Sequence, residues 1–118
     1  MKNLAPDIVR QRLLIEGIYT KNVDEVSVKT YLLGIASHLD VQAYGTPTIR
    51  SPDGIGKVEN GGFDAFLPLI DSGISRYVWE SKRFFAAVLF TCKSFSDDDA
   101  VAYTRQIFSA TEVATRLF

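Results

Sequence analysis

The chain alternates short apolar runs with turn-forming residues. Leu13-Leu14-Ile15-Glu16-Gly17-Ile18-Tyr19 predicts a first strand. Asn22 followed by Glu25 three residues later is a helix-start signal. Val28, Leu32, Ile35 and Leu39 then recur at helical spacing, which predicts an amphipathic helix over 24–39. Val41–Ile49 predicts a second strand, with Pro47 setting its end at a sheet edge. Residues 51–62, SPDGIGKVENGG, predict a loop or short irregular hairpin. Three aromatic or β-branched runs follow, Phe63–Ile70, Ile74–Trp79 and Phe84–Cys92, and each predicts a strand. Ser96-Asp97-Asp98-Asp99 is a helix start, with a capping serine and three carboxylates at the positive end of the helix dipole. Ala100, Tyr103, Ile107 and Ala110 carry one face of that helix, and Val113–Phe118 predicts a last short strand. The order β-α-β-β-β-β-α-β implies an α+β two-layer sandwich, one antiparallel sheet covered by two helices.

Composition narrows the field. The 118 residues suit a single domain over 1–118, and 47% hydrophobic against 23% charged supports one buried core. Thirteen basic and fourteen acidic residues leave a net charge of −1. That balance lacks the electrostatic footprint of a nucleic-acid or polybasic membrane binder. A single cysteine rules out an internal disulfide, and with a single histidine it argues against a zinc site, so no metal is expected. The sequence holds no apolar run of membrane-spanning length, and Met1–Asp7 lacks the apolar core of a signal peptide. The expectation is a cytoplasmic protein.

Conventional catalytic constellations are scarce. His38 reads as a helix-end histidine at the negative end of the dipole. Asp97, Asp98 and Asp99 point in different directions around a helix, so they read as capping residues and not as a metal site. The glycines of 51–62 lack a following helix at phosphate-binding spacing. Cys92 alone reads as a buried strand-end thiol, and Ser72 alone as a turn serine.

Together, Ser72 and Cys92 carry more. Asp71-Ser72-Gly73-Ile74-Ser75-Arg76-Tyr77-Val78-Trp79-Glu80-Ser81 aligns without a gap to a segment of the short bacterial and archaeal S-adenosylmethionine decarboxylases, Glu-Ser-His-Leu-Thr-Ile-His-Thr-Trp-Pro-Glu. The interval from Trp79 to Cys92 also matches, ending in Phe90-Thr91-Cys92. The chain therefore resembles that family over most of its length, apart from an insertion around residues 53–62. The resemblance implies self-cleavage between Asp71 and Ser72, leaving a pyruvoyl cofactor derived from Ser72. That group serves as the electron sink for decarboxylation in polyamine biosynthesis. Cys92 would be the general acid that reprotonates the product. A homodimer with the site near the subunit interface is also implied.

Several positions depart from the family. The histidine five residues after the serine is Tyr77, a phenol whose ordinary pKa of about 10 makes it a poor base near neutrality. A second processing residue, a serine in the family, is Asp64. The histidine directly after the cleavage serine is Gly73. The adenine-stacking phenylalanine aligns with Ser51. The carboxylate near the ribose aligns with Ser81, with Glu80 one place earlier and Trp79 retained. Arg76 replaces an apolar position. A strand arginine is expected on a solvated face, whereas one turned into the pocket would favour a carboxylate-bearing substrate.

The implied functions are three. The first is pyruvoyl-dependent decarboxylation of S-adenosylmethionine or another amino-acid-like small molecule. The second is different chemistry on an unprocessed chain, with Tyr77, Asp64 or Glu80 as polar participants. The third is a non-catalytic paralogue that binds a ligand or regulates an active decarboxylase.

Overall fold

The computed structural model describes residues 1–51 and 61–118. Six strands and two helices run in the order β1 (Gln11–Tyr19), α1 (Glu25–His38), β2 (Thr48–Arg50), β3 (Gly62–Leu69), β4 (Ser72–Trp79), β5 (Phe84–Thr91), α2 (Asp97–Phe108) and β6 (Ala110–Leu117). The strands form one sheet in the order β2-β3-β4-β5-β1-β6, and every neighbouring pair is antiparallel. Both helices lie on one face of it. The α+β two-layer sandwich read from the sequence is the observed architecture.

Period-2 alternation assigns each side chain to a face. Leu13 and Ile15 of β1, Leu67 of β3, Ile74 of β4, and Phe85 and Leu89 of β5 are buried beneath the helices. Val28, Tyr31, Leu32 and Ile35 of α1 and Ala100 and Phe108 of α2 complete that core. The opposite face carries Leu14, Ile18, Phe66, Tyr77, Val88 and Phe90 and is covered by no described residue. Phe66, Tyr77 and Phe90 there are 44%, 37% and 38% exposed.

The helix ends differ from the first expectation at two places: α2 stops at Phe108, so that Ala110 opens β6 instead of closing the helix face, and one N-cap is different. Asp24, not Asn22, caps α1. Its carboxylate accepts the Ser27 N–H at 2.8 Å, and the Ser27 hydroxyl accepts the Asp24 N–H at 2.9 Å. The reciprocal pair satisfies two orphan donors of the first turn. Ser96 caps α2 as expected, accepting the Asp99 N–H at 3.1 Å.

The strand expected over Val41–Ile49 is reduced to Thr48–Arg50. Residues 41–47 instead run beside β3 with only an isolated bridge from Ala43 to Leu69, the Tyr44 N–H donating to the Pro68 carbonyl at 2.7 Å and Gly45 turned to φ +93. A bend at Gly45 followed by Pro47, which has no N–H to donate, prevents a longer ladder. The sheet edge anticipated at Pro47 is real, since β2 is the outermost strand. Most of the 51–62 loop lies outside the described residues. Among the described residues, no helix is long and apolar enough to cross a membrane.

Candidate active site

Leu69 pairs with Ser72, so only Ile70 and Asp71 connect β3 to β4. Asp71 takes up the reversal with φ 55. That left-handed conformation is disfavoured for most L-residues and tolerated best by Gly, Asn and Asp. The end of β5 lies beside this turn. The Cys92 main-chain N–H donates to the Ser72 hydroxyl oxygen at 2.8 Å, and the Cys92 thiol donates to the Asp71 carbonyl oxygen at 3.1 Å. The Thr91 hydroxyl, donating to the Lys93 carbonyl at 2.6 Å, fixes the chain on either side of Cys92.

These groups border a cleft of about 670 Å³ between the C-terminal end of α1 and the β3–β4 turn. Ser37, Asp40 and Gln42 line one wall, and Asp71, Cys92 and Lys93 the other. The Lys93 ammonium donates to the Asp40 carbonyl at 2.7 Å and to its carboxylate at 3.1 Å. Both side chains are largely exposed, at 60% and 97%. An exposed pair of this kind contributes little to stability, so each partner is free to exchange for a ligand group. Sequence reasoning missed Asp40, Gln42 and Lys93 as cleft residues. The adjacency of Lys93 to Cys92 was the one signal for them.

The remaining candidate residues lie elsewhere. Asp64 and Tyr77 are direct cross-strand partners, so the alignment that paired them as processing positions is geometrically coherent. They occupy the uncovered face, however, whereas Ser72 lies on the helix-covered one. Five residues of strand separate Ser72 from Tyr77, roughly 16 Å at about 3.3 Å per residue. Trp79 packs against its cross-strand partner Phe84 with ring centroids 5.2 Å apart. Glu80 opens a single 3₁₀ turn, and its N–H donates to the Gly61 carbonyl at 3.0 Å. Ser51 is exposed and follows β2. His38 stacks on Tyr103 at 5.0 Å and takes no part in the cleft.

Gly73 has a physical reason to lack a side chain. A Cβ there would come within 2.5 Å of the Phe66 ring. Phe66 therefore covers the position that carries a histidine in the sequences this chain resembles.

Arg76 corrects the expectation of a solvated face. It is fully buried under the helices, on the same face as Ile74 and Val78. Its guanidinium carbon lies 3.4 Å from the Phe108 ring centroid and 4.4 Å from those of Tyr31 and Phe85. None of its three nitrogens has a hydrogen-bond partner among the described residues. Burial pulls its pKa down from the ordinary guanidinium value to about 10, opposed by the nearby Tyr31. Tyr31 is itself pushed up by burial, and its hydroxyl pairs with that of Thr104 at 2.8 Å. Arg76 does not line the cleft, so it is not placed to read a substrate carboxylate there.

Comparison with known proteins places the fold. No protein-family model matches the chain, and no curated protein matches it. Among solved structures, the adenosylmethionine decarboxylase from Aquifex aeolicus VF5 superposes with a TM-score of 0.74. The match covers 94% of this chain and 89% of that one at 13% identity. The sandwich is thus an adenosylmethionine decarboxylase-like fold.

Proposed function

We propose that this chain is a diverged decarboxylase-type enzyme whose reactive centre is the Asp71–Ser72 junction with Cys92. Its substrate would be S-adenosylmethionine or another small amino-acid-like molecule held in the adjoining cleft. The observation that carries this reading is the double contact of Cys92, whose N–H meets the Ser72 hydroxyl and whose thiol meets the Asp71 carbonyl. A thiol donor on that carbonyl oxygen withdraws electron density from its carbon, which Ser72 Oγ would attack. The C–N bond to Ser72 then breaks as the ester C–O bond forms, and the proton of the hydroxyl passes to the departing amine. Such a junction fits a serine-derived pyruvoyl group, which when present supplies an electron sink for loss of CO2. Cys92 stands beside Ser72, where a general acid to the product carbanion is needed. Lys93 offers a cation for a substrate anion, and Asp40 and Asp71 offer carboxylates for an ammonium or sulfonium centre.

Asp64 and Tyr77 lie too far along the strand to serve Ser72 of their own chain. In this reading the protein works in the cytoplasm as a homodimer through the uncovered apolar face of the sheet. Spontaneous processing is slow, because among the described residues no strong base stands at the junction.

Denaturing mass spectrometry tests the proposal. Fresh protein should be mainly intact, and incubation should accumulate fragments 1–71 and 72–118, the latter beginning with a pyruvoyl group. Release of CO2 from S-adenosylmethionine or an amino-acid panel should follow the processed fraction. A chain that stays intact through prolonged incubation and releases no CO2 would instead support the ligand-binding or regulatory reading. The separation of Tyr77 and Asp64 from Ser72 within one chain is the observation that favours that alternative.

A further inference from the structure

The two edges of the sheet are unlike. One edge is β2, three residues long and preceded by Pro47. It is blunted in the manner of edge strands that avoid pairing. The other edge is β6, eight residues long, exposed along most of its length and free of proline. Its single irregularity lies at its beginning, opposite Ile18 and Tyr19, and its register against β1 is regular from Glu112 to Leu117. Its outer N–H and C=O groups face no described strand.

The charges on β6 are placed symmetrically. Glu112 pairs with Ile18, and Arg116 with Leu14, so both side chains share the uncovered face. They stand two residues on either side of Ala114. We infer that β6 pairs antiparallel with β6 of a second copy of this chain, about a two-fold axis perpendicular to the sheet at Ala114. In that register Glu112 faces the second copy's Arg116, and Arg116 faces its Glu112. On the helix-covered side Val113 faces Thr115, a β-branched pair that favours strand association.

Other face-preserving registers are worse. Centring on Val113 sets both charges against alanines, and centring on Glu112 or Arg116 sets like charges opposite one another. The product is a continuous twelve-stranded sheet. This contact uses the edge and not the apolar face, so it stands independently of the proposed function and of a face-to-face dimer.

Sedimentation equilibrium over a range of concentrations tests it, with charge reversals at two exposed positions that leave the core untouched. Wild type should show one association step attributable to this edge. Glu112→Arg and Arg116→Glu, each alone, should weaken that step about tenfold or more, because each places like charges opposite twice per interface. The double variant should recover it. Mixing the two single variants should produce a heterodimer, since all-positive then faces all-negative. If the face also associates, the single variants lose one step and keep the other. The proposal is overturned if wild type shows no association step that these substitutions alter, or if neither the double variant nor the mixture restores the lost step.

Discussion

The main-chain N–H of Cys92 donates to the hydroxyl oxygen of Ser72 at 2.8 Å, across the gap between the end of β5 and the start of β4. The same residue's thiol meets the carbonyl immediately before that serine. One residue thus contacts both the carbonyl of the Asp71–Ser72 peptide and the hydroxyl that would attack it. Replacing Cys92 by alanine removes the thiol contact and keeps the main-chain one. A neutral hydrogen bond contributes about 1 kcal/mol, so fragment accumulation should slow roughly fivefold in Cys92→Ala. Ser72→Ala should abolish it. Timed denaturing mass spectrometry reads both. A Cys92→Ala chain that processes at the wild-type rate removes the thiol from the mechanism.

Much of the fold was legible because periodicity is a direct record of burial. All six strands and both helices have a counterpart in the hydrophobic pattern, and Ser96 was readable as a cap. The strand over 41–49 was over-read, since its first part pairs with β3 only through the single Ala43–Leu69 bridge before Gly45 and Pro47 interrupt the ladder. Arg76 was legible in principle. It alternates in step with Ile74 and Val78, both buried, but the usual cost of burying a charge argued for the other face. Of the cleft residues, only Asp71, Ser72 and Cys92 were legible in the sequence. The cleft wall from α1 depends on a tertiary contact that no local pattern encodes.

Restoring the processing pair provides a second prediction. Tyr77→His with Asp64→Ser supplies a base and a hydroxyl at cross-strand positions on the uncovered face. Within one chain they remain roughly 16 Å along the strand from Ser72. Ser72 also faces the opposite side of the sheet, so cleavage in the double variant should stay at the wild-type rate at every protein concentration. A raised rate in dilute, monomeric protein would show that the pair acts within its own chain, and a rate that rises with concentration would show that it acts on a second copy.

A third prediction concerns the ligand. The aligned stacking position is Ser51, and the aligned ribose carboxylate is Ser81. Losing an aromatic partner costs on the order of 1 kcal/mol, and losing a charge-assisted hydrogen bond a comparable amount. S-adenosylmethionine should accordingly bind roughly tenfold to several hundredfold more weakly than to an enzyme that keeps both contacts. Calorimetric titration decides it. Affinity in the low micromolar range would mean that other residues replace those contacts. Ile55 and Val58 of the insertion are candidates from sequence and lie outside the described residues.

The last prediction is about charge in the core. Arg76 is fully buried, with aromatic rings around it and no hydrogen-bond partner among the described residues. Cation–π contacts return roughly 0.5–2 kcal/mol each, whereas taking an ion out of water costs several kcal/mol even after relaxation. Replacement by a similar-sized apolar side chain, Arg76→Met, should stabilise the fold by about 1–3 kcal/mol at pH 7. The gain should depend on pH in a definite direction. Burial lowers the guanidinium pKa from its ordinary value to about 10, so the folded state holds its proton less tightly than the unfolded chain does. The charge penalty is therefore complete below pH 10 and falls away as pH rises from there towards the ordinary guanidinium pKa. Urea denaturation of wild type and Arg76→Met at intervals from pH 7 to 11 reads the difference between the two, in which tyrosines common to both largely cancel. Their stabilities should converge above pH 10. If Arg76→Met is the less stable protein at pH 7, the ring contacts outweigh the burial of the charge, and Arg76 holds the sheet to both helices.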